Sequence, residues 1–305
     1  MRTAALGDTG LEITRIGFGA WAIGGGDWEF GWGAQEDEES IAAIHRALEQ
    51  GVNWIDTAAA YGFGHSEEVV GRALEGVAER PYVFTKCSLL EGPDRTVVHS
   101  LERDSVMREA EASLRRLRVD AIDLYQIHWP DPDRDIEEGW SALAELKEQG
   151  MVRHIGVSNF DVEQLRRVQQ IAPVETLQPP YSLVEREAEE ELLPFAEREG
   201  IGVIVYSPMG SGLLTGRMTR ERVENMPDND WRKSDPSFQE PELSRHLELV
   251  ERLRAVADKH DTTPGAVAVA WTLQNPAVDG AIVGFRRPDQ VDGILAGAEL
   301  ELVGG

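Results

Sequence analysis

The sequence predicts a single (β/α)8 barrel, a TIM barrel in which eight parallel strands alternate with helices and close into a cylinder. Two observations predict it. First, the chain alternates short apolar, β-branched runs with amphipathic helical stretches, and most runs are too apolar to leave one face in water. Strands of a parallel sheet covered on both sides read this way. Second, eight such units in 305 residues match a barrel in number and size.

Ahead of the first strand, Thr3–Ala5, the turn Gly7-Asp8-Thr9-Gly10 and Ile13-Thr14 read as a hairpin able to plug the bottom of the barrel. Strands are expected at 16–20, 54–56, 82–86, 122–128, 152–158, 176–178, 202–207 and 281–283. A doubly wound dinucleotide sheet would need a GxGxxG turn after its first strand. Residues 17–22 read Gly-Phe-Gly-Ala-Trp-Ala and fail at the third glycine, which selects the barrel. Residues 38–49 put Ile41, Ile44 and Leu48 on one stripe, and 103–117 do the same with Val106, Ala110, Leu114 and Leu117. The stretch 137–149 keeps the helical period and ends at Gly150, a C-cap residue. Asp161 with Gln164 forms a capping box for a helix reaching Ile171. Residues 209–240 break the rhythm with a Gly-, Pro- and Asp-rich insertion, and loops of that length act as lids or stay disordered. An extra helix, 243–259, precedes one opened by Thr263 and Pro264 and running to 275. No repeat or domain boundary is visible, so 1–305 reads as one domain.

Composition narrows the function. Thirty Lys and Arg against 55 Asp and Glu give a net charge of −25, a field that repels nucleic acid and anionic lipid. No apolar stretch approaches the ~18 residues of a membrane helix. Residues 1–19 carry no basic segment leading into an apolar run, so no secretory signal is read and a cytoplasmic protein is expected, a monomer or weak homo-oligomer. The single cysteine, Cys87, excludes an internal disulfide and a zinc site built mainly on thiolates. Lysine occurs only at Lys86, Lys147, Lys233 and Lys259, so arginine carries nearly all the positive charge. A GC-rich genome accounts for this, as does an acidic surface suited to a saline cytoplasm.

Active sites of such barrels form at the C-terminal ends of the strands. There the sequence places Asp56, Lys86, His128, Ser158, Asn159, Gln178, Tyr206 and Ser207, with Tyr61 in the loop after the second strand. Singly, each has an ordinary structural explanation: a turn cap, a solvated lysine, a core histidine, a packed tyrosine. Together, Asp56, Tyr61, Lys86 and His128 would converge on one barrel mouth. A phenol with a pKa near ~10 is a poor acid at neutral pH, and a neighbouring ammonium lowers that pKa. Lys86 supplies the ammonium, Asp56 keeps it charged, and His128 orients a carbonyl oxygen. The cluster suits a general acid aimed at a carbonyl group.

These residues sit within longer motifs. GFGAW, DTAAAYGFGHSEEVVG, TK, QIHWP, GVSNF and YSPMGSGLLTG run from the first strand to the last, and the sequence resembles the aldo-keto reductase superfamily. DTA-x2-YG-x-GHSE with YSP-x-GSGLLTG looks most like its bacterial and potassium-channel-β-like branch. The resemblance implies a catalytic tetrad of Asp56, Tyr61, Lys86 and His128, with Tyr61 as proton donor, and a nicotinamide cofactor across the mouth. Ser158, Asn159 and Gln178 would hold its carboxamide, Tyr206 would stack on its ring, and Ala20 and Trp21 would line the nicotinamide side. The loop Ser207, Pro208, Met209, Gly210, Ser211, Gly212 and Leu213 would wrap the pyrophosphate through main-chain N–H groups, with Arg217 adding charge.

At the adenosine end the sequence departs from better-known members. Their Lys-Ser-x-x-x-x-Arg run is replaced here by Gly284, Phe285, Arg286, Arg287, Pro288, Asp289 and Gln290, and Ile294 stands where they carry Asn. Arg286 and Arg287 suit a 2′-phosphate, so NADP(H) is expected over NAD(H). The substrate expected is a small carbonyl compound in a pocket walled by Trp21, Tyr61, His128, Trp129 and Phe160. Trp231 of the 209–240 insertion, and Trp28, Phe30 and Trp32 of the first βα loop, lie within reach of the same mouth. Oxidation of a sugar or cyclitol is the alternative direction, and a cofactor-binding redox-sensing or interaction subunit the alternative role. No metal site is expected: the histidines lack ligand spacing, and 131–135 mimics a calcium loop but lacks its Gly and Glu.

Overall fold

The computed structural model describes residues 1–227 and 230–302. Eight parallel strands form a closed barrel: β1 (Ile16–Gly19), β2 (Trp54–Asp56), β3 (Tyr82–Cys87), β4 (Ile122–Ile127), β5 (Val152–Ser158), β6 (Thr176–Gln178), β7 (Gly202–Val205) and β8 (Gly280–Gly284). Each pairs with its sequence neighbours, and β8 closes on β1 through Ala281–Ile16 and Gly284–Gly19. The strands differ from expectation only at their ends. The seventh stops at Val205 because Tyr206 makes only an isolated bridge to Pro180.

The helices form an outer layer. Asp37–Glu49 and Arg103–Leu117 turn their predicted apolar stripes inward, burying Ile44, Val106, Ala110 and Leu117. The Asp161 capping box is present, with Asp161 accepting from the Gln164 N–H at 2.8 Å and its own N–H returning to Gln164 Oε1 at 3.0 Å. That helix ends at Val168, short of Ile171. Helices His65–Ala73 and Leu192–Glu199 and a second hairpin, Leu89–Glu91 with Val97–His99, add to the expected elements.

The N-terminal hairpin closes the floor. Thr3–Ala5 pairs antiparallel with Glu12–Thr14, and Leu6 and Ile13 pack beneath Trp54, Phe84, Leu124, Ile204 and Ile282 inside the barrel. The Trp54 indole N–H donates to Thr14 O at 2.8 Å. Its ring lies so close to Gly17 that a Cβ there would come within 2.2 Å of it, so this position requires glycine. With the floor sealed, only the C-terminal rim is open to chemistry.

Of the two fates open to the 209–240 insertion, the described residues follow the ordered one. Leu213, Leu214, Met218, Val223, Met226 and Phe238 build a separate small core against Leu243, Val250 and Leu253 of the helix Glu242–Lys259. That core anchors the loop that ends beside the rim at Trp231 and Arg232. Among the described residues, no helix is long and apolar enough to cross a membrane.

Candidate active site

Four chemistry-bearing side chains meet at the rim because each lies at or just beyond a strand end. Asp56 closes β2, Lys86 is the penultimate residue of β3, His128 follows β4, and Tyr61 lies in the turn before His65–Ala73. Lys86 Nζ donates to Asp56 Oδ2 at 2.6 Å, to Thr57 O at 2.9 Å and to the Tyr61 oxygen at 3.4 Å. Lys86 and Asp56 are 1% and 2% exposed, so this is an ion pair in a dry setting. Gln178 Nε2 donates to the other carboxylate oxygen of Asp56 at 2.9 Å. The His128 ring stands edge-on to Tyr61, centroids 5.7 Å apart at 78°.

Burial governs the proton affinities. It pushes the Asp56 carboxyl up and the Lys86 amine down, and each is opposed by the partner's charge 2.6 Å away. Burial, followed by the charge of Lys86 and then His99, pushes His128 well below its usual range, so the imidazole is neutral. Burial and then the Asp56 carboxylate raise the Tyr61 phenol well above its ordinary value. This reverses the expected sign: Asp56 offsets the lysine's charge, and desolvation then favours the neutral phenol. Tyr61 therefore rests fully protonated, the form a proton donor needs.

The next ring of residues forms one hydrogen-bonded chain. Ser158 Oγ donates to Gln178 O at 2.8 Å, and Asn159 Nδ2 donates to Ser158 Oγ at 3.1 Å and to His128 O at 2.9 Å. Tyr206 donates to Asn159 Oδ1 at 2.8 Å, which fixes its ring. Ala20 lies fully buried behind them, its N–H on Asp56 O. Beyond β7, Ser207, Gly210, Ser211 and Gly212 all adopt positive φ. A left-handed residue after a near-helical one, as at Met209–Gly210, is the backbone pattern that can turn main-chain N–H groups towards an anion, here with the Gly210 and Gly212 N–H groups already bonded to Ser207 O and Met209 O. Pro208 begins this turn, while Leu213 is 1% exposed and packs into the small core, so its side chain faces away. At Gly284 a Cβ would meet nothing nearer than 3.9 Å, so the rim there is open. The donor set and this cradle fit a dinucleotide.

Other expected residues are placed differently. Phe160 is 1% exposed within the main core, so little of its ring is accessible in this structure. Phe285 is buried against Phe18, ring centroids 5.6 Å apart, and offers only its main chain. Gln290 Oε1 accepts the main-chain N–H groups of Arg286 and Arg287, capping the helix Pro288–Leu295. The guanidinium of Arg286 is turned onto the first βα loop, bonding Gln35 Oε1, Trp32 O and Ala34 O. Arg217 and Arg287 are exposed, and Arg287 meets Asp289 at 3.0 Å.

The wall above Tyr61 is aromatic. Trp21 stacks on Tyr61 (6.2 Å, 19°) and on Trp231 (5.8 Å, 11°), and Trp32 meets both tryptophans edge-on. Trp28 lies 6.2 Å from Tyr61, and Trp129 is 43% exposed at the rim. A cleft of about 1170 Å³ opens beside this wall, lined by Trp28, Phe30 and Trp231 with Asp27, Glu29 and Asp94. Several participants lay outside the sequence reading. Thr57 O holds Lys86, Gln126 Oε1 lies 3.5 Å from Gln178 Nε2, and Glu67 raises the proton affinity of Lys86 from behind. Gln126 was legible in principle: it shares a strand face with His128 by period two, near the C-terminal end of its strand.

Comparison with known proteins follows the same lines. The sequence model of the aldo/keto reductase family matches residues 15–304. The chain is 42% identical over 297 residues to the aldo-keto reductase YhdN of Bacillus subtilis, covering 96% of this chain and 88% of the relative. It is 34% identical to the NADH-specific methylglyoxal reductase of Escherichia coli, covering 99% and 95%. The solved glycerol dehydrogenase AKR11B4 of Gluconobacter oxydans superposes with a TM-score of 0.89 at 39% identity, covering 99% of this chain and 91% of that one.

Proposed function

The chain belongs to the aldo/keto reductase family and is an oxidoreductase, and from that premise we propose that it reduces aldehydes and ketones to alcohols with Tyr61 as general acid. The observation that carries the proposal is the buried Asp56–Lys86 pair with Lys86 Nζ 3.4 Å from the Tyr61 oxygen. When bound, reduced NAD(P)H supplies a hydride equivalent to the carbonyl carbon. Tyr61 passes its proton to the carbonyl oxygen, and the phenolate left behind faces the ammonium of Lys86. Asp56 keeps that ammonium charged and fixed, so the donor is prepared before substrate arrives. The neutral imidazole of His128 donates a hydrogen bond to the same oxygen, which a charged, solvated ring would do less selectively.

Ser158, Asn159 and Gln178 are assigned to the carboxamide of the nicotinamide, Tyr206 to its ring, and the 207–213 turn to the pyrophosphate. For the adenosine end we propose NADP(H), with Arg287 rather than Arg286 meeting the 2′-phosphate. Exposed ion pairs such as Arg287–Asp289 contribute little and exchange readily for a better anion. NAD(H) is the second reading, favoured by the engagement of Arg286 and by the NADH-specific E. coli relative. Fluorescence titration with both cofactors separates the two: Arg287→Ala weakens NADPH alone on the first reading and neither on the second.

Polyol oxidation is the competing direction, supported by the likeness to a glycerol dehydrogenase and by carboxylates and aromatic faces sharing one cleft. The test is consumption of NADPH and NADH against a panel of aldehydes, ketones and sugars, with polyols and oxidised cofactor in parallel. Tyr61→Phe should lose ~100-fold or more in kcat, the usual contribution of a general acid. Full activity in that variant would refute the assigned donor. Fast single-turnover reduction with negligible steady-state rate would favour a redox-sensing subunit.

A further inference from the structure

We infer that Arg286 is a positioning residue for the substrate wall, clamping the first βα loop over Tyr61 from the adjoining loop after β8. The inference rests on the carbonyl-reductase reading for its kinetics, although the clamp itself does not depend on it. Arg286 Nε donates to Gln35 Oε1 at 2.7 Å, Nη1 to Trp32 O at 3.1 Å, and Nη2 to Ala34 O. Gln35 reciprocates, donating Nε2 to Arg286 O at 2.9 Å, and it also reaches Ser40 Oγ at 3.1 Å. The whole fork of the guanidinium is therefore engaged by one short segment, 251 or more residues away in sequence.

That segment ends the loop carrying Trp21, Trp28 and Trp32. Trp32 is held from two sides: Arg286 binds its carbonyl, and the guanidinium of Arg232 covers its indole at 4.3 Å. Arg232 is itself locked by Asp230 through bonds of 3.0 and 2.6 Å. From Trp32 the contacts continue edge-on to Trp21 at 5.5 Å, and Trp21 stacks on Tyr61. One continuous line of contacts thus joins the loop after β8, beside the proposed adenosine site, to the proton donor. The acceptors around Arg286 are two main-chain carbonyls and an amide oxygen, all neutral, so they offer no charge to exchange for phosphate. Removing a fork that binds three acceptors frees Trp32 first and Trp21 next, and loosens the surface on which a carbonyl substrate lies.

The test uses Arg286→Ala, Arg286→Lys and Gln35→Ala in the full chain. Near-ultraviolet circular dichroism of the cofactor-free protein reads the stacked tryptophans directly, with no turnover required. Arg286→Ala should lose a large part of that signal and raise the carbonyl KM ~10-fold, with kcat changing less, whether NADPH or NADH is used. Arg286→Lys keeps the charge but not the fork, so it should fail to rescue. Gln35→Ala, which removes the clamp's partner on the first loop, should move both readouts the same way by a smaller factor. An unchanged tryptophan signal and carbonyl KM in Arg286→Ala, with NADPH affinity alone reduced, would overturn the inference and return Arg286 to the phosphate. If Arg286→Ala does not fold, Arg286→Lys and Gln35→Ala decide: wild-type signals in both refute the clamp. Absence of carbonyl turnover in the parent would defeat the reductase reading, yet leave the tryptophan signal to be judged alone.

Discussion

Replacing Lys86 by methionine separates what the buried ion pair does for folding from what it does for chemistry. The Nζ–Oδ2 distance is 2.6 Å, and both side chains are almost wholly buried. At an effective dielectric near 20 the attraction is ~6 kcal/mol, but desolvating two charges costs a similar amount. The intact pair therefore adds little net stability. A lone carboxylate is different: Lys86→Met leaves Asp56 with only the neutral amides of Gln178 and Gln126 among the described side chains and should cost ~3–5 kcal/mol near neutral pH. The sign with pH follows from burial, which already raises the Asp56 pKa against the opposing lysine. With the lysine gone the folded-state pKa rises further above the unfolded value. The loss in stability is then small below the unfolded pKa and grows as pH rises above it.

The pair variant Lys86→Met with Asp56→Asn removes both charges and keeps an acceptor for Gln178. It should recover most of the lost stability and none of the activity. Urea denaturation, followed by tryptophan fluorescence and far-ultraviolet circular dichroism, measures both variants across the acid and neutral range. If Lys86→Met is as stable as the parent near neutral pH, or the pair variant is no better than the single one, the description of this site as a dry ion pair is wrong.

Two further predictions concern carboxyls outside the cluster of Asp56, Tyr61, Lys86 and His128. Glu109 is buried, accepts the Ser88 N–H at 3.0 Å, and has its pKa raised by burial to about 8. The folded protein holds this proton where the unfolded chain has released it, so stability should fall as pH rises from the unfolded value towards 8. Glu109→Gln should flatten that fall and be the more stable protein in mild alkali, by a few kcal/mol in urea titrations. Glu175 behaves oppositely. Burial pushes it up, but His154, Lys147 and the Ile155 N–H outweigh this and bring it to about 2. Its stabilisation is complete above the unfolded pKa and is lost as pH falls towards 2. Glu175→Gln should cost ~1–2 kcal/mol near neutral pH after discounting for its partial exposure, and little in strong acid.

The barrel was legible because strands buried on both faces read as unbroken apolar runs, and all eight appear within a few residues of their expected ends. Helix His65–Ala73 was harder to see because its first turn buries Glu67 at 0% exposure, bonded to Thr85 and Arg116. A polar residue facing inward breaks the stripe that identifies an amphipathic helix. The hairpin 89–99 had its signal in Gly92-Pro93-Asp94 followed by Val97-Val98, but it lies outside the barrel rhythm. Asp56, Lys86 and His128 were legible for a geometrical reason: strand ends converge, so polar residues there meet whatever the loops do. The sign of the shift on Tyr61 was not legible, since it depends on how completely Asp56 offsets Lys86 in a dry pocket.

The arginines mark the boundary most clearly. In a chain of net charge −25, positive charge near a dinucleotide must be concentrated locally, and the sequence offers Lys86, Arg217, Arg286 and Arg287. The structure divides that set by partner. Lys86 is balanced by a buried carboxylate, and Arg286 is saturated by neutral acceptors of the first loop. Arg287 has an exposed ion pair, and Arg217 is exposed beside it, near enough to Asp289 to lower that group's pKa. An exposed guanidinium can exchange its carboxylate for a phosphate at small cost, whereas a clamped one must first surrender the loop it holds. Only the exposed pair is therefore available to an incoming anion without disturbing the wall over Tyr61. A net charge counts arginines; what each one can bind depends on which acceptors the fold has already brought to it.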